Sequence, residues 1–191
     1  MKRVILIGDS IRMGYQGVVQ SELAGQAEVW SPAQNGGNSQ NVLDHLDEWV
    51  LAQHPDVVHI NCGLHDLRKE FGSDQAAVPL DRYQANVEAI LRRIRKETHA
   101  KLIWATTTPV NEEWHHQRKG FDRFEADVVA YNRVATEICQ RMAVTMNDLY
   151  QVVMRAGRDR ILLPDGVHFT VEGYTILGEA VAGVVRSWCV P

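Results

Sequence analysis

Short apolar runs alternate along the chain with longer segments in which apolar residues recur at helical spacing. Five runs of three to five residues, rich in Val, Ile and Leu, predict strands at Arg3–Ile7, Glu28–Trp30, Val57–Asn61, Leu102–Thr106 and Val144–Met146. Continuous apolar runs of this length are typical of strands that are covered on both faces of a parallel sheet. The alternation of strands and helices therefore predicts an α/β fold.

Between these runs, apolar residues at i, i+3, i+4 and i+7 predict amphipathic helices. The stripes are Val87, Ile90, Leu91 and Ile94; Val128, Tyr131, Ala135, Ile138 and Met142; and a shorter one of Leu46, Trp49 and Val50. A last helix has a wide apolar face of Ile176, Leu177, Ala180, Val181, Val184, Val185 and Trp188.

Residues at the start of this last helix predict its N-cap, and its glycines predict how it packs. Thr170 is placed to cap its N-terminus, and Glu172 then lies in the first turn, where a negative charge is favourable. Gly173, Gly178 and Gly183 lower helix propensity, so we expect them to permit close packing on the sheet.

Five strands joined by helices predict a single domain over residues 1–191. The expected architecture is a flavodoxin-like three-layer α/β/α sandwich whose five-stranded parallel sheet has the order 2-1-3-4-5. No internal repeat or Pro/Gly/Ser-rich linker divides the 191 residues. In open sheets of this kind, ligands bind beyond the carboxyl ends of the strands. Functional residues are therefore expected directly after strands.

Composition narrows the class of protein. A net charge of −4 gives no basic field, which argues against nucleic acid as a partner, and 45% hydrophobic residues exclude a disordered chain. The cysteines, Cys62, Cys139 and Cys189, lack the CxxC spacing of a zinc site or a disulfide framework. Val4–Ile7 is too short for a secretory signal, and no apolar segment approaches a membrane span, so a cytoplasmic protein without a membrane partner is expected.

The first predicted strand ends in Gly8-Asp9-Ser10-Ile11. A serine just past a central strand, on a turn opened by a glycine, is placed like a nucleophile near a helix N-terminus. Ser10 is equally suited to capping the helix that follows. The motif alone does not decide between these interpretations.

Asp165-Gly166-Val167-His168 stands near the C-terminus. An aspartate and a histidine three residues apart on one turn can meet, and the carboxylate then accepts from Nδ1–H and leaves Nε2 free to take a proton from a hydroxyl. The alternative is a turn begun by Asp165 with His168 in solvent, because Asp-Gly is a common turn pair.

Two more polar, glycine-bearing segments follow predicted strands. Asn35-Gly36-Gly37-Asn38-Ser39 comes after the second, and its glycines let backbone N–H groups approach a ligand closely. Cys62-Gly63-Leu64-His65-Asp66 comes directly after the third. Each is also readable as an ordinary loop or helix cap. Together the four segments supply a hydroxyl, a His–Asp pair and backbone donors, which are the parts needed for acyl transfer.

In the order and spacing of these four segments, the chain resembles the SGNH hydrolases, or GDSL-type esterase/lipase superfamily, over nearly its whole length. The resemblance implies ester hydrolysis without a metal or other cofactor. It implies Ser10 as nucleophile, His168 as general base and Asp165 as the carboxylate that orients it. The backbone N–H groups of Ser10 and Gly37 are implied as oxyanion-hole donors.

One position departs from the family pattern. The third segment usually reads Gly-x-Asn-Asp, and the asparagine side chain is the third oxyanion donor, whereas this chain has His65. An imidazole N–H can donate in the right tautomer, so we expect His65 to replace the asparagine. The alternatives are that Asn38 or Asn61 substitutes, or that His65 binds substrate.

The segment from Thr107 to Asp122 is long for an α/β connection, and such loops are often lids or binding elements. We expect it to be a loop that shapes substrate choice, and a mobile surface loop is the alternative. We also expect Asn38, Asp66 and Trp114 to contact substrate. His115 and His116, with Glu112 and Glu113, resemble a metal site, but a solvated loop is the preferred interpretation.

These inferences predict a serine esterase that hydrolyses a small or carbohydrate-borne ester, with acetyl favoured by analogy with the family. A short-chain lipase or thioesterase, an acyltransferase with the same triad, and a non-catalytic binding module of this fold stay open as alternatives. The oligomeric state and the natural substrate are not predicted.

Overall fold

The computed structural model describes residues 1–189, in which five parallel strands form one sheet. Their bounds are β1 (Lys2–Ile7), β2 (Ala27–Trp30), β3 (Val57–Ile60), β4 (Lys101–Ala105) and β5 (Thr145–Asn147). The strand order is β2-β1-β3-β4-β5. This confirms the predicted order, and each predicted strand lies within one residue of the observed one.

The sheet is buried on both faces at its centre. Val4 to Ile7 of β1 and all of β3 are buried, including His59. The register pairs Val4 with Val57 and Ile7 with Ile60, so β1 and β3 end at the same level. Residues 8–10 and 61–66 therefore leave the same edge of the sheet side by side.

Nine helices lie in the described part of the chain. They are α1 (Ser10–Glu22), α2 (Ser39–Asp44), α3 (Leu46–Trp49), α4 (Leu80–Glu97), α5 (Glu112–Arg118), α6 (Glu125–Arg141), α7 (Leu149–Ala156), α8 (Arg158–Ile161) and α9 (Val171–Cys189). Helix α9 contacts α1 and α7, and helix α4 contacts α2 and α6. With the sheet these groups make the predicted three-layer α/β/α sandwich.

The periodic stripes lie on the buried faces of the long helices, except that Trp188 at the end of the α9 stripe is 37% exposed. In α4, for example, Val87, Ile90, Leu91 and Ile94 are all fully buried. The expectation of a loop from Thr107 to Asp122 was wrong, since α5 occupies its middle. Seven residues are too few for a clear helical period, and the cap, in which Asn111 accepts from the Trp114 N–H, was not recognised. Among residues 1–189 no helix combines the length and apolarity needed to cross a bilayer.

Helix α9 is capped at its N-terminus and packs closely against α1. Thr170 Oγ1 accepts from the Gly173 N–H at 3.2 Å, as predicted for a cap. The glycines do not act as expected, because Gly178 meets Val18 of α1 rather than the sheet. A Cβ at Gly178 would come within 2.5 Å of the Val18 Cβ, whereas one at Gly183 would meet nothing within 4 Å.

We expect Gly178→Ala to destabilise the protein. The added methyl group overlaps a Val18 carbon that is fixed to the backbone, and overpacking of this kind costs about 1–3 kcal/mol, partly offset by the better helix propensity of Ala. The free energy of unfolding, measured by urea denaturation, should fall accordingly.

Gly183→Ala is the matched control on the same helix. It adds the same methyl group into open space and should raise the free energy of unfolding by about 0.5–1 kcal/mol through helix propensity alone. Equal effects of the two substitutions would contradict close α1–α9 packing at Gly178.

Candidate active site

Ser10 is the first residue of α1, directly beyond the carboxyl end of β1. The cap of this helix is Asp9, whose Oδ1 accepts from the Ile11 N–H at 2.9 Å. The Ser10 side chain is thus not needed as the cap, and its N–H, at the helix N-terminus, has no acceptor within the helix. A hydroxyl and a free backbone donor are therefore presented at the same residue.

The turn before α9 holds Asp165 and His168 together. Asp165 Oδ1 accepts from the backbone N–H groups of Val167 at 3.1 Å and His168 at 2.9 Å. Its other oxygen, Oδ2, lies 2.6 Å from His168 Nδ1. Asp165 thus begins a turn, as the alternative interpretation held, but His168 is paired with protein atoms at both ring nitrogens rather than lying in solvent. An ionised carboxylate at Nδ1 requires the proton there and leaves Nε2 as an acceptor.

The two ends of the chain meet at Ser10 and His168. Ser10 Oγ lies 2.9 Å from His168 Nε2, across a sequence separation of 158 residues. Oγ, the imidazole and the Asp165 carboxylate therefore form one continuous hydrogen-bonded chain. This geometry permits transfer of the hydroxyl proton to His168 while negative charge on Asp165 stabilises the imidazolium that results.

The carboxylate of Asp165 is held in its ionised form. Partial burial by itself would raise the pKa of Asp165, but hydrogen bonds from the His168 ring, the backbone of His168 and Val167, and Lys119 outweigh it and hold the pKa well below its usual range. Lys119 Nζ lies 3.1 Å from Oδ2. Sequence reasoning placed Lys119 only within a loop near the site, because nothing in a single basic residue indicates its partner.

The loop after β2 is fastened to the start of α1 by backbone and side-chain contacts. The Gly36 N–H donates to the Gly8 carbonyl at 3.0 Å, and a Cβ at Gly36 would lie 2.7 Å from that oxygen, so only glycine fits this approach. The buried Arg12 side chain adds a donation to the Gln34 carbonyl at 2.7 Å. These contacts bring the Gly37 backbone to the same edge of the sheet as Ser10.

The Gly37 N–H is engaged within its own loop. It donates to Asn35 Oδ1 at 2.8 Å. A substrate oxygen that uses this donor has to replace the Asn35 side chain, which lies on the exposed surface.

His65 lies half-buried in the loop that follows β3. Burial lowers the pKa of His65, the positive charges of Arg123 and Arg68 lower it further, and Asp9 opposes them. The ring is therefore neutral near pH 7. A neutral imidazole has a single N–H, so it can donate to an oxyanion in only one of its two tautomers.

A buried arginine supports this loop. No pattern in the sequence predicts this contact. Arg123 Nε donates to the Leu64 carbonyl at 2.6 Å, and Nη1 lies 3.2 Å from His115 Nε2. Burial lowers the pKa of Arg123 to about 10, with Arg68 acting in the same direction and Asp9 and Asp165 opposing. The side chain still carries its positive charge at neutral pH, directly behind the residue that precedes His65.

The placement of His115 is a correction to the sequence interpretation. Rather than lying in a solvated loop, His115 is fully buried in α5, and burial lowers its pKa to about 4. His116 is exposed and its Nδ1 lies 2.7 Å from Asp122 Oδ1. Within residues 1–189 no group of three or more His, Cys, Asp or Glu side chains is arranged to hold a metal ion.

The two asparagines considered as replacement donors have structural partners. Asn61 Nδ2 donates to the Ala105 carbonyl at 2.9 Å, which joins the ends of β3 and β4. Asn38 Oδ1 accepts from the Asn41 N–H at 2.9 Å and caps α2. The amide nitrogen of Asn61 is therefore already used in a hydrogen bond to β4. The cap of α2 uses the amide oxygen of Asn38 and not its amide nitrogen.

Asp66 does not reach a surface on which substrate could bind, contrary to the contact expected for it. The residue is fully buried, and its Oδ1 accepts from the backbone N–H of Ser39 at 2.9 Å and from its hydroxyl at 2.5 Å. Burial raises the pKa of Asp66 to about 7, against the effect of these hydrogen bonds. Asp66 therefore joins the loops that follow β2 and β3 through hydrogen bonds to Ser39.

Trp114 lies in α5 beside the turn that carries the triad carboxylate. A Cβ at Gly166 would come within 3.2 Å of the Trp114 Cβ. On the outer side, Trp114, Leu162 and Pro164 border a surface cavity of about 250 Å³. Trp114 is therefore adjacent to the turn of residues 164–168 and borders this cavity.

Several solved structures share the fold over nearly the full length of this chain. A lipase/acylhydrolase from Enterococcus faecalis superposes with a TM-score of 0.81 at 23% identity, covering 98% of this chain and 96% of that one. The acetyl xylan esterase AlAXEase gives 0.77 at 20% identity, covering 96% and 99%. An acetylxylan esterase from Geobacillus stearothermophilus, solved as a catalytic mutant, gives 0.77 at 20%, covering 94% and 92%.

No curated protein sequence matches this chain significantly. The sequence profile of the GDSL-like lipase/acylhydrolase family does match, over residues 6–176, a range that includes Ser10, Gly37, His65, Asp165 and His168. The fold, the sheet order and the four segments at its carboxyl edge agree with that match. This chain is a member of the GDSL-like lipase/acylhydrolase family.

Proposed function

We propose that this protein is a serine esterase that hydrolyses small or carbohydrate-borne esters, acetyl esters above all, through an acyl-enzyme intermediate. The observation that carries the proposal is the chain of contacts from Ser10 Oγ to His168 Nε2 at 2.9 Å and from His168 Nδ1 to Asp165 at 2.6 Å. A binding module without catalytic activity would not require this contact.

In the first step, Ser10 Oγ attacks the ester carbonyl while His168 Nε2 takes its proton. The carbonyl oxygen becomes an oxyanion beside the N-terminus of α1, where the Ser10 N–H points and the helix dipole favours negative charge. His168 then gives the proton to the departing alcohol oxygen, and the acyl group stays on Ser10 as an ester.

In the second step, water attacks the acyl-enzyme. His168 takes a proton from the water, the tetrahedral intermediate forms and collapses, and the proton returns to Ser10 Oγ as the carboxylic acid leaves. In both steps Asp165 keeps the Nδ1 proton in place and compensates the charge of the imidazolium.

The oxyanion is proposed to receive three donors. Two are the backbone N–H groups of Ser10 and Gly37, with the substrate oxygen replacing Asn35 at the latter. The third is His65, whose neutral ring supplies one N–H. The buried positive charge of Arg123 behind this loop adds a favourable field where negative charge develops.

The preference for a small acyl group is supported by the side chains around the triad and by the acetyl xylan esterases that share the fold. In the loop after β3, the side chains of His65 and Arg68 are polar and partly exposed. A long alkyl chain would desolvate these groups without providing hydrogen bonds in return.

Replacing the nucleophile tests the mechanism directly. In Ser10→Ala, turnover of p-nitrophenyl acetate should fall by at least about 10³-fold, because no other hydroxyl is placed at His168 Nε2. Ser21→Ala, an exposed serine on the same helix, is the control and should hydrolyse at the wild-type rate. Undiminished turnover by Ser10→Ala would reject the mechanism, and an inert wild type would favour a binding module.

Substitutions of His65 separate the oxyanion role from substrate binding. His65→Asn should retain or increase kcat, because an amide donates at any pH, whereas His65→Ala should lower kcat by about 10²–10³-fold through loss of one oxyanion donor. If His65 instead binds substrate, both variants will raise KM, and collapse of His65→Asn with an intact circular dichroism spectrum will identify that role.

The acyl preference is tested with p-nitrophenyl esters of increasing length. We expect kcat/KM to fall from acetate to octanoate by about tenfold or more, since the charged surroundings gain nothing from added methylenes. Acetylated xylan oligosaccharides serve as the carbohydrate substrate in parallel. A rate that rises with chain length would identify a lipase-like esterase instead.

A further inference from the structure

The triad carboxylate has a second cationic neighbour that the proposed reaction steps do not use. Lys119 Nζ lies 3.1 Å from Asp165 Oδ2, the same oxygen that accepts from His168 Nδ1 at 2.6 Å. The side chains of Lys119 and Asp165 are 30% and 22% exposed, so solvent screens this ion pair only in part.

The segment around α5 is built to hold Lys119 at this oxygen. At its beginning, the Asn111 N–H donates to the Gly166 carbonyl at 2.9 Å, next to Asp165 in the chain. At its end, the Lys119 N–H donates to the His115 carbonyl at 2.9 Å, and His115 is buried. The start of the helix is therefore joined to the triad turn, and the backbone of Lys119 is held at the end of the helix rather than in a free loop.

Several other titratable or charged groups act on Asp165 and His168 from the surrounding elements. His65 after β3 acts on His168, and His115 in α5, Arg123 before α6 and Tyr174 in α9 act on Asp165. Asp9 before α1 acts on three of these groups, His65, Arg123 and Tyr174. Among the side chains of residues 1–189, only His168 and Lys119 come within 4 Å of the Asp165 carboxylate as charged partners. Lys119 is thus the cation with the most direct influence on the His–Asp pair.

The charge of Lys119 changes how strongly Asp165 stabilises a protonated His168. A carboxylate near an imidazole stabilises the protonated ring, and a positive charge on the same oxygen cancels part of that effect. The carboxylate does not depend on Lys119 for its position, because the N–H groups of Val167 and His168 hold its other oxygen. Removal of the charge should therefore alter the basicity of His168 more than its geometry.

We propose that Lys119 is a positioning residue that makes His168 a weaker base than Asp165 alone would make it, so that the enzyme stays active in mildly acidic solution. This rests on the proposed function, since it assigns His168 as the general base. The charge on Lys119 sets the lower pH limit of activity, and the triad itself sets the rate above that limit.

The test is the pH profile of kcat/KM for p-nitrophenyl acetate in wild type and Lys119→Met. The midpoint of the acidic limb reports protonation of the free base, and we expect it to rise by about 0.5–1 pH unit in the variant. At pH values below the limb this corresponds to a loss of about 3–10-fold, whereas the plateau at higher pH should be nearly unchanged. Lys119→Arg should restore the wild-type midpoint.

Arg118→Gln is the matched control. It removes one positive charge from the neighbouring, exposed position without touching Asp165, and the midpoint should stay at the wild-type value. A lower plateau with an unmoved midpoint in Lys119→Met would show a purely structural role and overturn the proposal. An equal shift in Arg118→Gln would overturn it as well, because a general change in charge would then explain the result.

A second measurement does not depend on activity. The His168 ring protons can be titrated by NMR in the Ser10→Ala background, with and without Lys119→Met, and the midpoint should rise by the same about 0.5–1 unit. Identical titrations would refute the role of Lys119. If Ser10→Ala alone retains full activity, the proposed esterase mechanism fails, while the NMR titration still decides how Lys119 acts on His168.

Discussion

The contact between Ser10 and His168 is the constraint on which the rest of the site depends. The two residues are 158 positions apart in the chain, and a contact of 2.9 Å between their side chains requires α1 and α9 to be fixed relative to one another. Close packing of Gly178 on Val18 meets that requirement. A glycine between α1 and α9 thus helps to determine the distance between the Ser10 and His168 side chains.

The other loops of the site are held by contacts of the same indirect kind. Asp66 joins the loop after β3 to the start of α2, and Arg12 joins the loop after β2 to the start of α1. Arg123 holds the backbone immediately before His65. Each of these side chains is buried and hydrogen-bonded to backbone groups, so these loops are held in place although most of this edge is irregular structure.

Electrostatically, the site combines a strongly ionised carboxylate with a neutral imidazole and a buried arginine. The hydrogen bonds at Asp165 stabilise its charge, while burial and nearby cations keep His65 neutral. The departure of His65 from the family asparagine therefore leaves a neutral donor at that position and adds no charge. Lys119 and Arg123 both come from the segment that follows β4.

The sequence by itself determined the strands, the long helices and the four polar segments, because each follows from local patterns of apolar spacing or from the residues that end a strand. The sheet order was expected because five strands joined by helices fit a flavodoxin-like order, and the structure confirms it. The sequence also indicated Ser10, Asp165 and His168 as a set. Only the tertiary structure decided that Asp66 is buried and joins two loops, and that His115 is buried. It also decided that Lys119 contacts Asp165 and that Arg123 contacts the residue before His65. The reason is physical: burial and ion pairing depend on which distant segments meet, and a single charged residue in a sequence carries no record of its partner.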